Sequence, residues 1–224
     1  MKSFVLIPGA GGMASYWRLV VPLLEQAGHE AIAVDLPGDD ASAGLASYAD
    51  LTARAIGART DVVLVAQSLG GFTAPLVCAR KSVRTLVFVN AMIPKPGETA
   101  GEWGKNTGSA PARARAAERG GYSPRFDLET YFFHDVPPEI FAEGAKDARD
   151  EAETIFSDPC RFEAWPSIPI HVIVGRDDRF FPSDFQRRVA RERLGLDDVD
   201  EIPGGHLVAL SNPRGLSDEL LGYL

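Results

Sequence analysis

Short apolar runs recur along the chain, separated by stretches long enough to hold a helix. Phe4-Val5-Leu6-Ile7, Ala31 to Asp35, Val62-Val63-Leu64-Val65, Thr85 to Val89, Ile170 to Val174 and Val199 to Ile202 read as six strands. Most are apolar without alternation, the pattern of strands covered on both faces. Helical spacing predicts a helix near Ser15 to Ala27, where Trp17, Val20, Val21 and Leu24 recur, and others near Ser47 to Ala58, Phe72 to Ala79, Ser183 to Leu194 and Pro213 to Tyr223. Strands alternating with helices predict an α/β fold, with a six-stranded, mostly parallel sheet, helices on both faces and right-handed crossovers. The alternation breaks once, over residues 91–167. That segment holds half of the chain's aromatic residues, among them Trp103, Tyr131, Phe132 and Phe133. It is expected to be a cap roofing an apolar pocket. Within it, residues 105–121 are rich in Gly, Ala, Arg and Ser with little apolar pattern, and are expected to be mobile and to gate entry. No repeat or second domain is visible, so residues 1–224 are expected to form one domain carrying the cap.

The ends of the strands carry the candidate chemistry. Val62 to Val65 runs into Ala66-Gln67-Ser68-Leu69-Gly70-Gly71, a serine among small residues where a strand must turn sharply into a helix. A serine there can act as a nucleophile or merely cap the helix. As a nucleophile it needs a base, and an imidazole held by a carboxylate is the usual one. His206 follows Pro203-Gly204-Gly205 after the last strand, and the adjacent Asp177 and Asp178 follow the fifth. Either aspartate could orient the imidazole. His29, His134 and His171 lack this context, although His134 could approach from the cap.

The first strand ends in Pro8-Gly9-Ala10-Gly11-Gly12. This glycine-rich loop offers backbone N–H groups, or makes only a tight turn. It has neither the G-x-x-x-x-G-K-[ST] spacing of a phosphate loop nor a clean G-x-G-x-x-G. Asp35 after the second strand keeps a dinucleotide site formally open, but such a site would leave Ser68 and His206 without a role. No cofactor is expected.

Composition narrows the partners. A formal net charge of -8 argues against nucleic acid and against an anionic membrane surface. Cys78 and Cys160 are too few for a disulfide framework and are not spaced for a metal site, so no metal is expected. The first apolar run is too short for a signal peptide, and no segment approaches the roughly 20 apolar residues of a membrane span. A cytoplasmic protein is the default expectation. Oligomeric state is left open, a homodimer included.

Taken together, the first strand and its loop, the helix ending Pro22-Leu23-Leu24-Glu25-Gln26-Ala27-Gly28-His29, the elbow from Ala66 to Gly71 and the run Asp178-Arg179-Phe180-Phe181-Pro182-Ser183-Asp184-Phe185-Gln186 resemble the α/β-hydrolase superfamily. The similarity is to the branch of plant methylesterases and hydroxynitrile lyases with their bacterial relatives. The order Ser, Asp, His is the one that superfamily uses. The resemblance implies a minimal α/β-hydrolase fold, with six strands where members often have eight. It also implies Ser68 as nucleophile, His206 as base and Asp178 as the acid, since the family's acid stands three residues after the glycine. Oxyanion donors would be the N–H groups of Ala10 and Leu69. Gly9, Gln67 and Leu207, with Phe132 and His134 from the cap, are expected to touch substrate. Pro8 and Gln67 depart from histidines common in the family, without removing a backbone donor. The implied activity is cleavage of a small, apolar carboxylic ester through an acyl-enzyme. The alternatives are a hydroxynitrile-lyase-like C–C lyase and a non-catalytic ligand-binding member. Lyase members carry a hydroxyl in the oxyanion loop and a lysine after the histidine, where this chain has Gly9 and Leu207.

Overall fold

The six apolar runs pair into one sheet in a computed structural model that describes residues 1–144, 146 and 148–224. The strands are β1 (Ser3–Ile7), β2 (Glu30–Ala33), β3 (Val62–Gln67), β4 (Thr85–Val89), β5 (Ile170–Gly175) and β6 (Asp200–Ile202), in the order β2-β1-β3-β4-β5-β6. Every neighbouring pair is parallel, with Ile7 beside Ala66, Ala66 beside Phe88 and Val89 beside Ile173. Because side chains alternate across a strand, β1 feeds two cores: Val5 and Ile7 point to one face, Phe4 and Leu6 to the other. Burial on both sides explains why these strands are apolar throughout.

The helices are α1 (Val21–Gln26), α2 (Leu45–Ile56), α3 (Gly70–Cys78), α4 (Ala100–Thr107), α5 (Ser109–Gly120), α6 (Pro138–Gly144), α7 (Ser183–Leu194), α8 (Val208–Ser211) and α9 (Pro213–Gly222). Helices α2, α3 and α7 cover the Val5 face, and α1 and α9 cover the Phe4 face. The helix expected over residues 15–27 divides into a 3-10 turn at Ala14–Trp17 and α1, which starts at Val21-Pro22. Proline has no N–H to give to a preceding turn, so it begins a helix more readily than it continues one. Strand β2 stops at Ala33, short of Asp35, and α8 was not foreseen.

The segment expected to form the cap joins β4 to β5, which pair directly in the sheet, and its residues 105–121 are helical. They belong to α4 and α5, which meet at Gly108 with φ +68. Alanine and arginine are strong helix formers, and Ala112 and Ala117 give α5 a buried stripe too small to register as an apolar pattern. At its start α4 is closed by a reciprocal cap between Thr99 and Glu102. Among the described residues no helix is long and apolar enough to cross a membrane.

Candidate active site

The loops after β1 and β3 meet where the strand order reverses, the place at which open parallel sheets leave a crevice. The turn after β3 forces Ser68 to a backbone φ of +48, a left-handed conformation that costs a non-glycine residue on the order of 1 kcal/mol or more. Small neighbours make it tenable. A Cβ on Gly71 would lie 1.9 Å from the carbonyl oxygen of Met92, and one on Gly9 would lie 2.9 Å from the Ser68 Cβ. The glycines are therefore required by close approach, which packs the β1 loop directly against the serine.

Three side chains from three loops come together. The Ser68 hydroxyl lies 3.1 Å from His206 Nε2, and His206 Nδ1 lies 2.8 Å from Asp178 Oδ2. All three residues are buried. The other Asp178 oxygen accepts the N–H groups of Phe180 and Phe181, each at 2.8 Å, so the carboxylate is oriented before it meets the imidazole. Asp177 points away. It accepts the Gly204 N–H and pairs with Arg176 at the surface. The structure thus brings Asp178, and not its neighbour, to His206.

The backbone donors of the flanking loops differ in whether they are already used. Gly12 N–H is used by Gly9 O and Gly11 N–H by the Glu151 carboxylate. The N–H groups of Ala10 and Leu69 have no partner among the described residues. Two unengaged donors beside a buried serine can hold an oxyanion without reorganising.

A cavity of about 290 Å³ lies next to these loops, lined by Gly9, Ala10, Gln67 and Leu207 with an apolar wall that includes Met13, Phe133, Ile140 and Phe141. The other two residues expected to touch substrate do not line it, and neither do Ser68 and His206. Phe132 stacks on His206, and His134 lines a separate, polar groove with Tyr122, Asp178 and Arg179. Burial pushes the His134 imidazole below its ordinary range, against the nearby Asp135. Gln67 donates to the His206 carbonyl at 3.3 Å and so braces the loop as well as lining the cavity.

Sequence reasoning passed over Asn90. Fully buried at the end of β4 with φ +46, it donates to the carbonyls of Gly205 and His206 and accepts the Gly175 N–H at 2.6 Å. Its amide ties the acid loop to the histidine loop. Gln186 extends the tie by donating to both Asn90 and Asp178. A polar residue at the end of an apolar strand, of a type that tolerates positive φ, was the available signal.

A sequence profile described as the alpha/beta hydrolase family matches residues 4–219. The chain belongs to that family. Among known proteins, this α/β hydrolase is 27% identical to a pyrethroid hydrolase of Sphingobium wenxiniae, over all of the chain and 88% of the relative. It is 26% identical to an α-hydroxynitrile lyase of Arabidopsis thaliana, over 97% of the chain and 95% of the relative. Its fold matches a crystal structure of polyneuridine aldehyde esterase with a TM-score of 0.79 at 23% identity, over 100% of this chain and 99% of the other. The expected superfamily and the parallel-sheet architecture are thereby established.

Proposed function

We propose that this α/β hydrolase is a serine esterase for a small, apolar carboxylic ester. The observation that carries the reading is the continuous chain of contacts from Asp178 through His206 to Ser68. In acylation His206 Nε2 takes the proton of Ser68 as its oxygen attacks the ester carbonyl. The negative charge that develops on the carbonyl oxygen is held by the N–H groups of Ala10 and Leu69. As the tetrahedral intermediate collapses, the imidazolium gives its proton to the departing alcohol. Water, deprotonated by His206, then attacks the acyl-enzyme, releasing the acid and restoring the serine. Each lost oxyanion donor would raise the barrier by about 3 kcal/mol. The steps draw on side chains, backbone amides and water alone.

The apolar cavity favours an uncharged group on one side of the ester, and the net charge of -8 favours neither nucleic acid nor an anionic bilayer as partner. A cytoplasmic setting and a small-molecule substrate belong to the same proposal. The Arabidopsis relative favours a second reading, cleavage of a cyanohydrin. Against it, Leu207 stands next to the base. The Arg18 guanidinium, which lines the cavity, donates to the carbonyls of Ser15 and Ile140 and lies 3.7 Å from the Glu143 carboxylate. Its charge is already paired with a carboxylate, which weakens its claim to hold a departing cyanide.

Release of p-nitrophenol from p-nitrophenyl acetate and butyrate, with Ser68→Ala alongside, tests the proposal. Turnover by the wild-type chain and none above background in the variant supports it. Equal, slow release by both would mark a ligand-binding member, and cyanide release from mandelonitrile would replace the esterase by a lyase.

A further inference from the structure

The cap reaches back to the loop after β1 through one carboxylate. Glu151 Oε2 accepts the Gly11 N–H at 2.6 Å, and its Oε1 accepts the Tyr48 hydroxyl, from α2, also at 2.6 Å. The neighbouring chain locks the same loop. A Cβ on Gly11 would lie 2.6 Å from the Arg149 carbonyl oxygen, Arg149 pairs with Asp35 at 2.7 Å, and Ala152 N–H donates to Gly38 O. Asp35 in turn accepts the Ala14 N–H at the far end of the loop.

We propose that Glu151 is a positioning residue for the oxyanion hole, fixing the Ala10–Gly11 peptide so that the Ala10 N–H stays aimed beside Ser68. The inference rests on the esterase reading and adds to it a role for the cap beyond roofing the pocket. Three consecutive N–H groups leave the loop at residues 10, 11 and 12. With the Gly12 donor closed onto Gly9 O and the Gly11 donor held by Glu151, the backbone torsions around Ala10 are bounded on both sides. Gly11 and Gly12 sit at φ +85 and +70 and, as glycines, resist no rotation by themselves. Contacts from outside the loop must hold it: Leu36 N–H donates to Gly12 O, Asp35 accepts the Ala14 N–H, and Glu151 is the side chain that holds Gly11, next to Ala10. A donor displaced by a fraction of an ångström loses much of its value to a charge that exists only in the transition state. The role therefore falls on kcat more than on KM.

Glu151→Ala, Glu151→Gln and Tyr48→Phe are compared with the wild type on p-nitrophenyl butyrate, and the rate of Ser68 labelling by a fluorophosphonate is followed by intact mass. The expected result is a kcat about tenfold lower in Glu151→Ala with KM within twofold. Glu151→Gln, which keeps an acceptor for Gly11, should recover to within about threefold of wild type, and labelling should follow the same order. Tyr48→Phe, which leaves Glu151 less firmly aimed, should fall between them. Wild-type kcat and labelling in Glu151→Ala would overturn the inference, as would an alanine effect confined to KM or equal losses in the alanine and glutamine variants. If the wild type labels but does not turn over the ester, the esterase reading fails while labelling still decides the role of Glu151. A wild type that does neither overturns both.

Discussion

Phe132 of the cap lies flat on the imidazole of His206, with ring centroids 4.9 Å apart and planes inclined by 19°. Phe180 and Phe181 meet the same ring at steeper angles, so the imidazole is walled by three aromatic side chains. Phe132 was expected to touch substrate from the roof of the pocket. In the proposed mechanism, its place against His206 would also keep water from the ion pair with Asp178.

Removing that wall should slow chemistry and leave the pocket in place. Phe132→Ala is expected to lower kcat about tenfold with a smaller effect on KM, and Phe132→Leu, which restores an apolar cover, should recover most of it. Steady-state kinetics on one p-nitrophenyl ester checks both. Unchanged kcat in the alanine variant would show that the ring only packs.

The two neighbouring aspartates allow a sharper comparison. Asp178→Asn keeps the shape but holds the wrong tautomer of His206, and kcat should fall roughly 10⁴-fold. Asp177→Asn, which alters only the surface contacts with Gly204 and Arg176, should stay within about twofold. Comparable losses in the two variants would contradict the assignment of Asp178.

Most of the fold could be read because the apolar runs have no competing explanation. Thr85 to Val89 and Ser183 to Leu194 match β4 and α7 end to end. The residues of the relay were legible because each sits at a strand end in a distinctive local setting. What stayed hidden depended on distance along the chain. Asn90 ties the acid and histidine loops through contacts 85 to 116 residues away, and Glu151 reaches Gly11 across 140. Nothing next to either residue announces a partner so remote. The helices over residues 105–121 stayed hidden for a local reason, because small alanines bury a helix face without an apolar signature.

His171 gives the fold an acid-sensitive point. Its ring stacks on Tyr223 at 3.9 Å, and burial lowers its pKa below the ordinary 6.5 in spite of Asp200 and Glu219 nearby. Between the folded and unfolded values, the unfolded chain binds a proton that the folded chain does not. The stability this group confers is therefore fully present above pH 6.5 and lost as the pH falls through the lower folded value. Thermal midpoints measured from pH 8 to pH 5 should decline less steeply in His171→Phe than in the wild type, and identical slopes would exclude the histidine as a contributor.

The cap's entry is fastened by a buried ion pair. Glu98 accepts from Arg193 of α7 at 2.5 Å, with the two side chains 4% and 3% exposed. Burial by itself would raise the Glu98 pKa, yet Arg193, the Asn106 amide and the Lys95 N–H together hold it below the usual carboxylate range. Arg193→Met leaves that carboxylate buried without its cation, and the expected loss is about 3–5 kcal/mol. For a chain of this size that corresponds to a melting point lower by roughly 10 °C. Removing the charge on both sides, in Glu98→Gln with Arg193→Met, should cost less than the Arg193 change alone, because no uncompensated ion remains. If the double variant melts below the single one, the pair contributes through its mutual attraction, not merely through the penalty of separating it.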